Sequence, residues 1–176
     1  MSETQNLTHF SPDGRARMVD VGGKVPSDRL AVASGSIRML PATLERIRSG
    51  RIAKGDVLAV ADVAAVMAAK RTPDIIPLCH GLALSGVDVV FSEDANQDSE
   101  GLAALRVQVS ARCNGQTGVE MEAMTAASVA LLTVYDMCKA IDRGMRIESI
   151  QLEEKRGGKS GVWLRMPNSE KRMLRD

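Results

Sequence analysis

Charged side chains flank a long uncharged segment, and their types and spacing suit acid–base chemistry. Residues 123–135 carry no charge, which is typical of a helix that is buried nearly all round. Asp136 and Lys139 follow this segment three residues apart, so their side chains share one helix face. On an exposed helix they form an ordinary ion pair, whereas a buried pair would shift each other's pKa values and suit proton transfer.

Glu120 and Glu122 precede the same segment. One interpretation is a first helical turn in which acids interact favourably with the helix dipole. The other is a carboxylate that accepts hydrogen bonds from the N–H groups of a purine- or pterin-like ring. Residues two apart diverge by about 200° on a helix, so both carboxylates share a direction only if this part of the chain is extended.

His80 is one of two histidines, and it ends a proline-stiffened loop over residues 75–80. Loops of this kind often present functional side chains on a rigid frame, although a surface histidine without a role is the alternative. Cys79 precedes it, but no second cluster in the sequence has metal-ligand spacing. We therefore predict no metal site.

Basic residues occur where a phosphate group could bind. Lys54 stands just before a predicted helix start, where backbone N–H groups attract anions, and Arg29 stands at the entry to a predicted strand. Residues 155–161 form a basic glycine loop that lacks the first glycine of a Walker A motif, since Glu153 occupies that position. For each of these basic groups, a solvated surface role is the alternative to phosphate binding.

The composition limits the class of protein. A chain of 176 residues with 44% hydrophobic residues fits a single globular domain. Aromatic residues make up only 2%, which argues against a single-strand nucleic-acid binder, and a net charge of +1 gives no field toward nucleic acid or membrane. Three cysteines in apolar contexts and no membrane-spanning or secretory segment predict a cytoplasmic protein.

The hydrophobic pattern predicts an α+β, ferredoxin-like sandwich, with an antiparallel sheet and helices on one face. We predict strands at 17–21, 30–39, 82–92, 102–113 and 145–154, helices at 41–49, 56–70 and 119–143, and irregular structure at 72–81. A bulge is predicted near Gly35. Asp56 is predicted to cap the second helix, whose predicted buried side is Val57, Val60, Ala64, Met67 and Ala68. Residues 1–15 are predicted to be a flexible arm, 16–166 a single catalytic domain, and 167–176 a charged tail. The second face of the sheet must be polar or meet another subunit, which predicts a homo-oligomer.

Several segments together resemble the cyclic pyranopterin monophosphate synthase family, which acts second in molybdenum-cofactor biosynthesis. The matching segments are 18–21 (MVDV), 54–56 (KGD), 68–72 (AAKRT), 76–80 (IPLCH), 117–123 (TGVEMEA), 125–130 (TAASVA), 135–140 (YDMCKA) and 157–161 (GGKSG). The resemblance implies a ferredoxin-like homohexamer built as a trimer of dimers. It also implies a lyase that converts (8S)-3′,8-cyclo-7,8-dihydroguanosine 5′-triphosphate to cyclic pyranopterin monophosphate and releases diphosphate.

The resemblance also implies roles for individual residues. Asp136 is expected to be the catalytic acid/base, with Lys54, Lys139 and His80 as further catalytic groups. The expected substrate contacts are Leu78, Cys79, His80, Met121, Glu122, Glu120, Arg29, Lys70 and Lys159. No cofactor is expected, and Mg²⁺ bound with the triphosphate is left open. Residues from neighbouring subunits are expected to complete each pocket.

The chemistry explains these residue types. A triphosphate needs lysine and arginine to hold it, and the bond rearrangements need groups that exchange protons near neutrality, such as His80, a desolvated lysine or an Asp136 of raised pKa. The alternatives are a non-catalytic oligomer that senses a nucleotide or pterin, and a scaffold protein of the same pathway. A sensor would need the phosphate and ring contacts but no matched acid–base set.

Overall fold

The structure is a computed structural model that describes residues 14–166. Only residues 14 and 15 of the predicted arm fall within it, and the predicted tail lies outside the described residues. The fold is α+β. Its elements are β1 (Ser27–Met39), α1 (Pro41–Arg48), α2 (Val57–Lys70), α3 (Thr72–Ile75), β2 (Leu84–Asp94), β3 (Ala103–Gly115), α4 (Glu120–Cys138), β4 (Arg146–Arg156) and β5 (Trp163–Leu164).

The strands form one antiparallel sheet in the order β2-β3-β1-β4-β5. β2 and β3 pair antiparallel, as their short connection predicts. The bulge predicted near Gly35 is confirmed, because the register between β1 and β4 shifts on both sides of Ser34. At Gly35 an added Cβ atom would lie 2.5 Å from Ile150 Cδ1 and 2.9 Å from Leu131 Cδ1. This glycine therefore lets α4 approach the sheet closely.

Helices cover one face of the sheet. Alternate side chains of β3, among them Leu105, Val107 and Val109, are fully buried in the core shared with α2 and α4. The residues between them, such as Arg106 and Gln108, are exposed on the opposite face. That face is polar, so the solvent can cover it and it does not by itself require a partner subunit.

α2 packs through a face of small residues. The side chain of its N-cap residue Asp56 accepts a hydrogen bond from the Ala59 N–H at 3.0 Å, as the predicted cap requires. The predicted inward side (Val57, Val60, Ala64, Met67 and Ala68) is partly wrong. Val60 and Met67 are exposed, and the buried residues are Val57, Ala61, Ala65, Ala68 and Ala69. Alanines face the alanine-rich α4, and this allows the two helices to lie close together.

Two predicted secondary-structure assignments are wrong. Residues 17–21 form no strand, and the described chain before β1 holds only an isolated bridge at Ala16. Residues 72–81, predicted to be irregular, begin with the short helix α3. Pro73 lies in its first turn, where backbone N–H groups have no partner within the helix, so proline costs no helical hydrogen bond there.

α4 ends at Cys138, earlier than the predicted Arg143. Asp142 lies four residues beyond this end. Its buried carboxylate accepts hydrogen bonds from the Leu40 N–H (2.9 Å) and the Thr43 hydroxyl (3.2 Å) at the start of α1, and from the Gly144 N–H (3.1 Å). Asp142 thus ties the end of α4 to α1.

Candidate active site

Two adjoining cavities form one groove beside the N-terminal end of α4. Their volumes are about 720 and 430 Å³, and they share Lys24, Thr117, Gly118 and Glu120 as lining residues. The loops before β1, after β4 and before α4 supply much of the wall. The groove therefore gathers segments that are far apart in the sequence.

The larger cavity is basic. Among the described residues, its cationic lining consists of Lys24, Arg29, Lys155, Arg156 and Lys159. Arg29 is held in place by main-chain oxygens: its Nε donates to the Gly115 carbonyl (3.2 Å) and its Nη2 donates to the Gln116 carbonyl (3.3 Å). A fixed guanidinium with lysines around it suits the binding of a phosphate chain.

The basic glycine loop packs directly on Arg29. A Cβ atom at Gly157 would lie 2.1 Å from the Asp28 carbonyl oxygen, and one at Gly158 would lie 1.9 Å from Arg29 Nη1. Both glycines also have a positive φ, of 96° and 71°. Only glycine allows this close approach, so the loop and Arg29 form one unit.

The smaller cavity has a mixed apolar and polar lining. Six predicted substrate contacts line it: Leu78, Cys79, His80, Glu120, Met121 and Glu122. Val19, Val21 and Leu82, which were not predicted contacts, also line it. The His80 Nε2 atom lies 2.8 Å from the Val19 carbonyl oxygen, which fixes the imidazole in the wall. This end has the shape and polarity of a site for a flat ring with N–H groups.

Glu122 is only 3% exposed at this end of the groove. Burial raises the pKa of the Glu122 carboxyl, a backbone hydrogen bond opposes the shift, and the Glu120 charge adds to it. Burial and the nearby Glu122 likewise raise the pKa of the Cys79 thiol, which disfavours the thiolate. The protonated carboxyl is therefore favoured at Glu122 and the neutral thiol at Cys79.

A second cluster, at the other end of α4, joins three of the four residues expected to be catalytic. Lys54 Nζ lies 3.1 Å from Asp136 Oδ2 and donates to the Asp136 main-chain oxygen at 2.9 Å. Lys139 Nζ lies 2.5 Å from Asp136 Oδ1. The bonds from Lys139 and then Lys54 hold the pKa of the Asp136 carboxyl below its usual value. The suggestion of a raised Asp136 pKa is thus wrong for this chain, because the carboxylate is 58% exposed and paired with two cations.

The two clusters do not meet within one chain. Glu122 and Asp136 stand on the same helix fourteen residues apart, which places them about 21 Å apart along its axis. Arg29, Lys159, His80 and the other predicted substrate contacts lie in the groove, apart from Lys70. Lys70 is exposed in the last turn of α2 and lines neither cavity.

Lys24 and Gln116 line the larger cavity although neither is a predicted site residue. Lys24 follows a Gly-Gly pair in the loop before β1, and Gln116 follows β3 directly. Neither has a local pattern that distinguishes it from a surface residue. Their place in the groove results from the antiparallel pairing of β1 with β3, which sets Ser27 opposite Gly115.

Two further observations concern metals and membranes. Within residues 14–166, no group of three or more histidine, cysteine, aspartate or glutamate side chains could hold a metal ion. None of the helices in this part of the chain is long and apolar enough to cross a membrane.

Comparison with known proteins identifies the family. The sequence profile of the MoaC family matches residues 18–158. The chain is 55% identical over 166 residues to the cyclic pyranopterin monophosphate synthase of Chloroflexus aurantiacus, covering 94% of this chain and 99% of that protein. It is 56% identical over 158 residues to the protein of the same name from Novosphingobium aromaticivorans, covering 90% and 96%. The chain belongs to the MoaC family.

Proposed function

We propose that this chain is a lyase of molybdenum-cofactor biosynthesis that converts (8S)-3′,8-cyclo-7,8-dihydroguanosine 5′-triphosphate to cyclic pyranopterin monophosphate and diphosphate. The observation that carries the proposal is the high identity, over nearly full length, to relatives named cyclic pyranopterin monophosphate synthase. The groove supports it, because a cationic cavity adjoins one suited to a ring.

In this proposal the triphosphate lies in the basic cavity. Arg29 and Lys159 bind phosphate oxygens, and Lys24 and Lys155 add positive charge. Binding a chain of about four negative charges requires such a set, because a single exposed lysine gives little affinity. No cofactor is needed for this binding, and Mg²⁺ carried by the triphosphate is compatible with it.

The ring lies in the smaller cavity. The Glu122 carboxyl accepts hydrogen bonds from ring N–H groups, and Leu78, Cys79 and Met121 pack on the apolar surface of the ring. His80 lies beside it as a further proton-exchanging group. Burial of Glu122 strengthens its hydrogen bonds and favours the protonated carboxyl.

Asp136, Lys54 and Lys139 supply the second acid–base set. The ionised Asp136 can accept a proton, and either lysine can donate one to a leaving group. Since these residues are about 21 Å along α4 from Glu122, we propose that the Asp136 cluster of one subunit completes the groove of another.

Exposed apolar side chains support this assembly. Val60, Val63 and Met67 are exposed on one face of α2, and Leu132 is 56% exposed on α4 one turn before Asp136. We propose the homohexamer, a trimer of dimers, that the resemblance implies. The strand order supports a ferredoxin-like classification, and three free cysteines support a cytoplasmic location.

The test is incubation with the cyclic dihydroguanosine triphosphate while diphosphate release is followed. The wild type should turn over. Asp136→Asn should abolish turnover and leave substrate affinity nearly unchanged. Asp88→Asn is a matched control, because Asp88 is similarly exposed and is paired with Arg112 on the uncovered sheet face. A wild type that binds the ligand without turnover would instead favour the sensor.

The shared site has its own test. Arg29→Ala and Asp136→Asn variants should each be inactive. Co-assembly of the two should restore activity, because some sites then combine an intact Arg29 from the Asp136→Asn subunit with an intact Asp136 from the Arg29→Ala subunit. A native mass equal to that of a monomer would contradict the shared site.

A further inference from the structure

The segment between Val19 and Lys24 has no assigned role, although it forms part of the groove wall. Three hydrogen bonds shape it into a turn. The Gly22 N–H donates to Asp20 Oδ1 (2.8 Å), the Lys24 N–H donates to the Val21 carbonyl (2.9 Å), and Gln116 Nε2 donates to the Gly22 carbonyl (3.3 Å). The first is an Asx turn, in which a side chain fixes the backbone locally.

This 19–24 turn touches His80 through the Val19 carbonyl, 2.8 Å from Nε2. A carbonyl oxygen accepts hydrogen bonds and cannot donate, so the proton of a neutral His80 ring must be on Nε2. The same ring then has Nδ1 as a lone-pair acceptor, and no described residue bonds to Nδ1. His80 lines the ring-binding cavity.

We propose that the Val19 carbonyl holds His80 in the Nε2–H tautomer, that Nδ1 is thereby the proton acceptor of the ring-binding cavity, and that Asp20 and Gln116 are positioning residues for this carbonyl. Only the catalytic consequence of this inference rests on the proposed function; the tautomer does not. A substrate N–H or O–H group beside His80 gives its proton to Nδ1, and the Nε2–H bond to Val19 stabilises the resulting imidazolium.

Asp20 and Gln116 act at different points of the turn. Asp20 is exposed and lines neither cavity, and its side chain accepts the hydrogen bond from the Gly22 N–H. Gln116 joins the turn to the basic cavity, because its main-chain oxygen also accepts from Arg29. Loss of either side-chain bond frees the Val19 carbonyl to move away from His80.

Nuclear magnetic resonance of the full-length protein with ¹⁵N-labelled histidine tests the tautomer without substrate. The sequence has two histidines, so a His9→Gln variant leaves His80 as the single imidazole signal. At a pH where the ring is neutral, we expect a slowly exchanging proton on Nε2 and an unprotonated Nδ1. A proton on Nδ1 of the neutral ring would overturn the proposal.

Steady-state kinetics test the positioning role. Asp20→Ala should speed exchange of the Nε2 proton and lower kcat about two- to tenfold, the range expected for loss of one hydrogen bond, with KM unchanged within about twofold. Asp20→Asn keeps an oxygen acceptor for the Gly22 N–H and should behave as wild type. Equal exchange and equal kcat in the two Asp20 variants would refute the role.

Gln116→Ala gives an independent arm if Asp20→Ala folds poorly. It should speed exchange of the same proton, and Gln108→Ala is its matched control, because Gln108 lies on the uncovered face of β3. An unchanged exchange rate in Gln116→Ala would remove this residue from the proposal. If the wild type releases no diphosphate yet shows the Nε2–H tautomer, the proposed function fails and the hydrogen-bond assignment stands.

Discussion

Substitution of Gly158 by alanine tests whether the glycine loop positions Arg29 for phosphate binding. The new Cβ atom would lie 1.9 Å from Arg29 Nη1, whereas ordinary contact begins at 3.4 Å. The guanidinium must therefore move by about 1.5 Å, which breaks its bonds of 3.2 and 3.3 Å to the two main-chain carbonyls. Loss of one hydrogen bond to a charged phosphate costs about 1.5–3 kcal/mol, so KM should rise about 10- to 100-fold.

Gly161→Ala is the matched control for this effect. Gly161 lies in the same loop and has a similar φ of 61°, but an added Cβ atom would meet nothing within 4 Å. Both variants should lose about 1–2 kcal/mol of unfolding free energy from the left-handed backbone, and only Gly158→Ala should raise KM. In an Arg29→Ala background, Gly158→Ala should add little further. Equal KM values for the two glycine variants would refute the reasoning.

Three further predictions concern stability, measured by urea unfolding. Asp142→Ala should cost about 2–4 kcal/mol, since the three hydrogen bonds to its buried side chain are lost; a loss below 1 kcal/mol would contradict its bridging role. Gly35→Ala should cost about 1–3 kcal/mol by overpacking, and Ile150→Val, which removes the clashing Cδ1, should recover part of this loss; no recovery would argue against the clash. The raised pKa of Glu122 means that the folded state binds more protons than the unfolded state, so stability falls as pH rises above about 4.5. Glu122→Gln should therefore gain stability relative to wild type as the pH rises from about 4.5 toward the raised pKa of folded Glu122, and a constant difference over that rise would contradict the shift.

Much of the fold follows from local pattern. The alternation of β3 and the Asp56 cap of α2 were readable because each depends on residues near in sequence. The inward face of α2 cannot be predicted in this way, because both of its faces are apolar and periodicity alone does not choose between them. The choice depends on close contact with α4, where alanine fits better than valine or methionine.

The candidate site likewise has residues that the sequence identifies and residues that only the fold places there. Residue types and the family resemblance identified Arg29, His80, Glu122 and Asp136 from the sequence. The outcome for Lys70 shows the limit, because a lysine within a matching segment still lies outside both cavities. The groove also includes Lys24, which had no local signal, because strand pairing brings its loop beside α4.

The sequence by itself determined which groups this protein has for chemistry, which segments form its four long strands and its two long helices, and which family it belongs to. Only the tertiary structure decided that Glu122 is buried with a raised pKa, and that Asp136 is exposed with a lowered one. Only it showed that the two stand at opposite ends of one helix. The physical reason is that burial and charge pairing arise from residues distant in the chain, whereas helix and strand patterns depend on near neighbours.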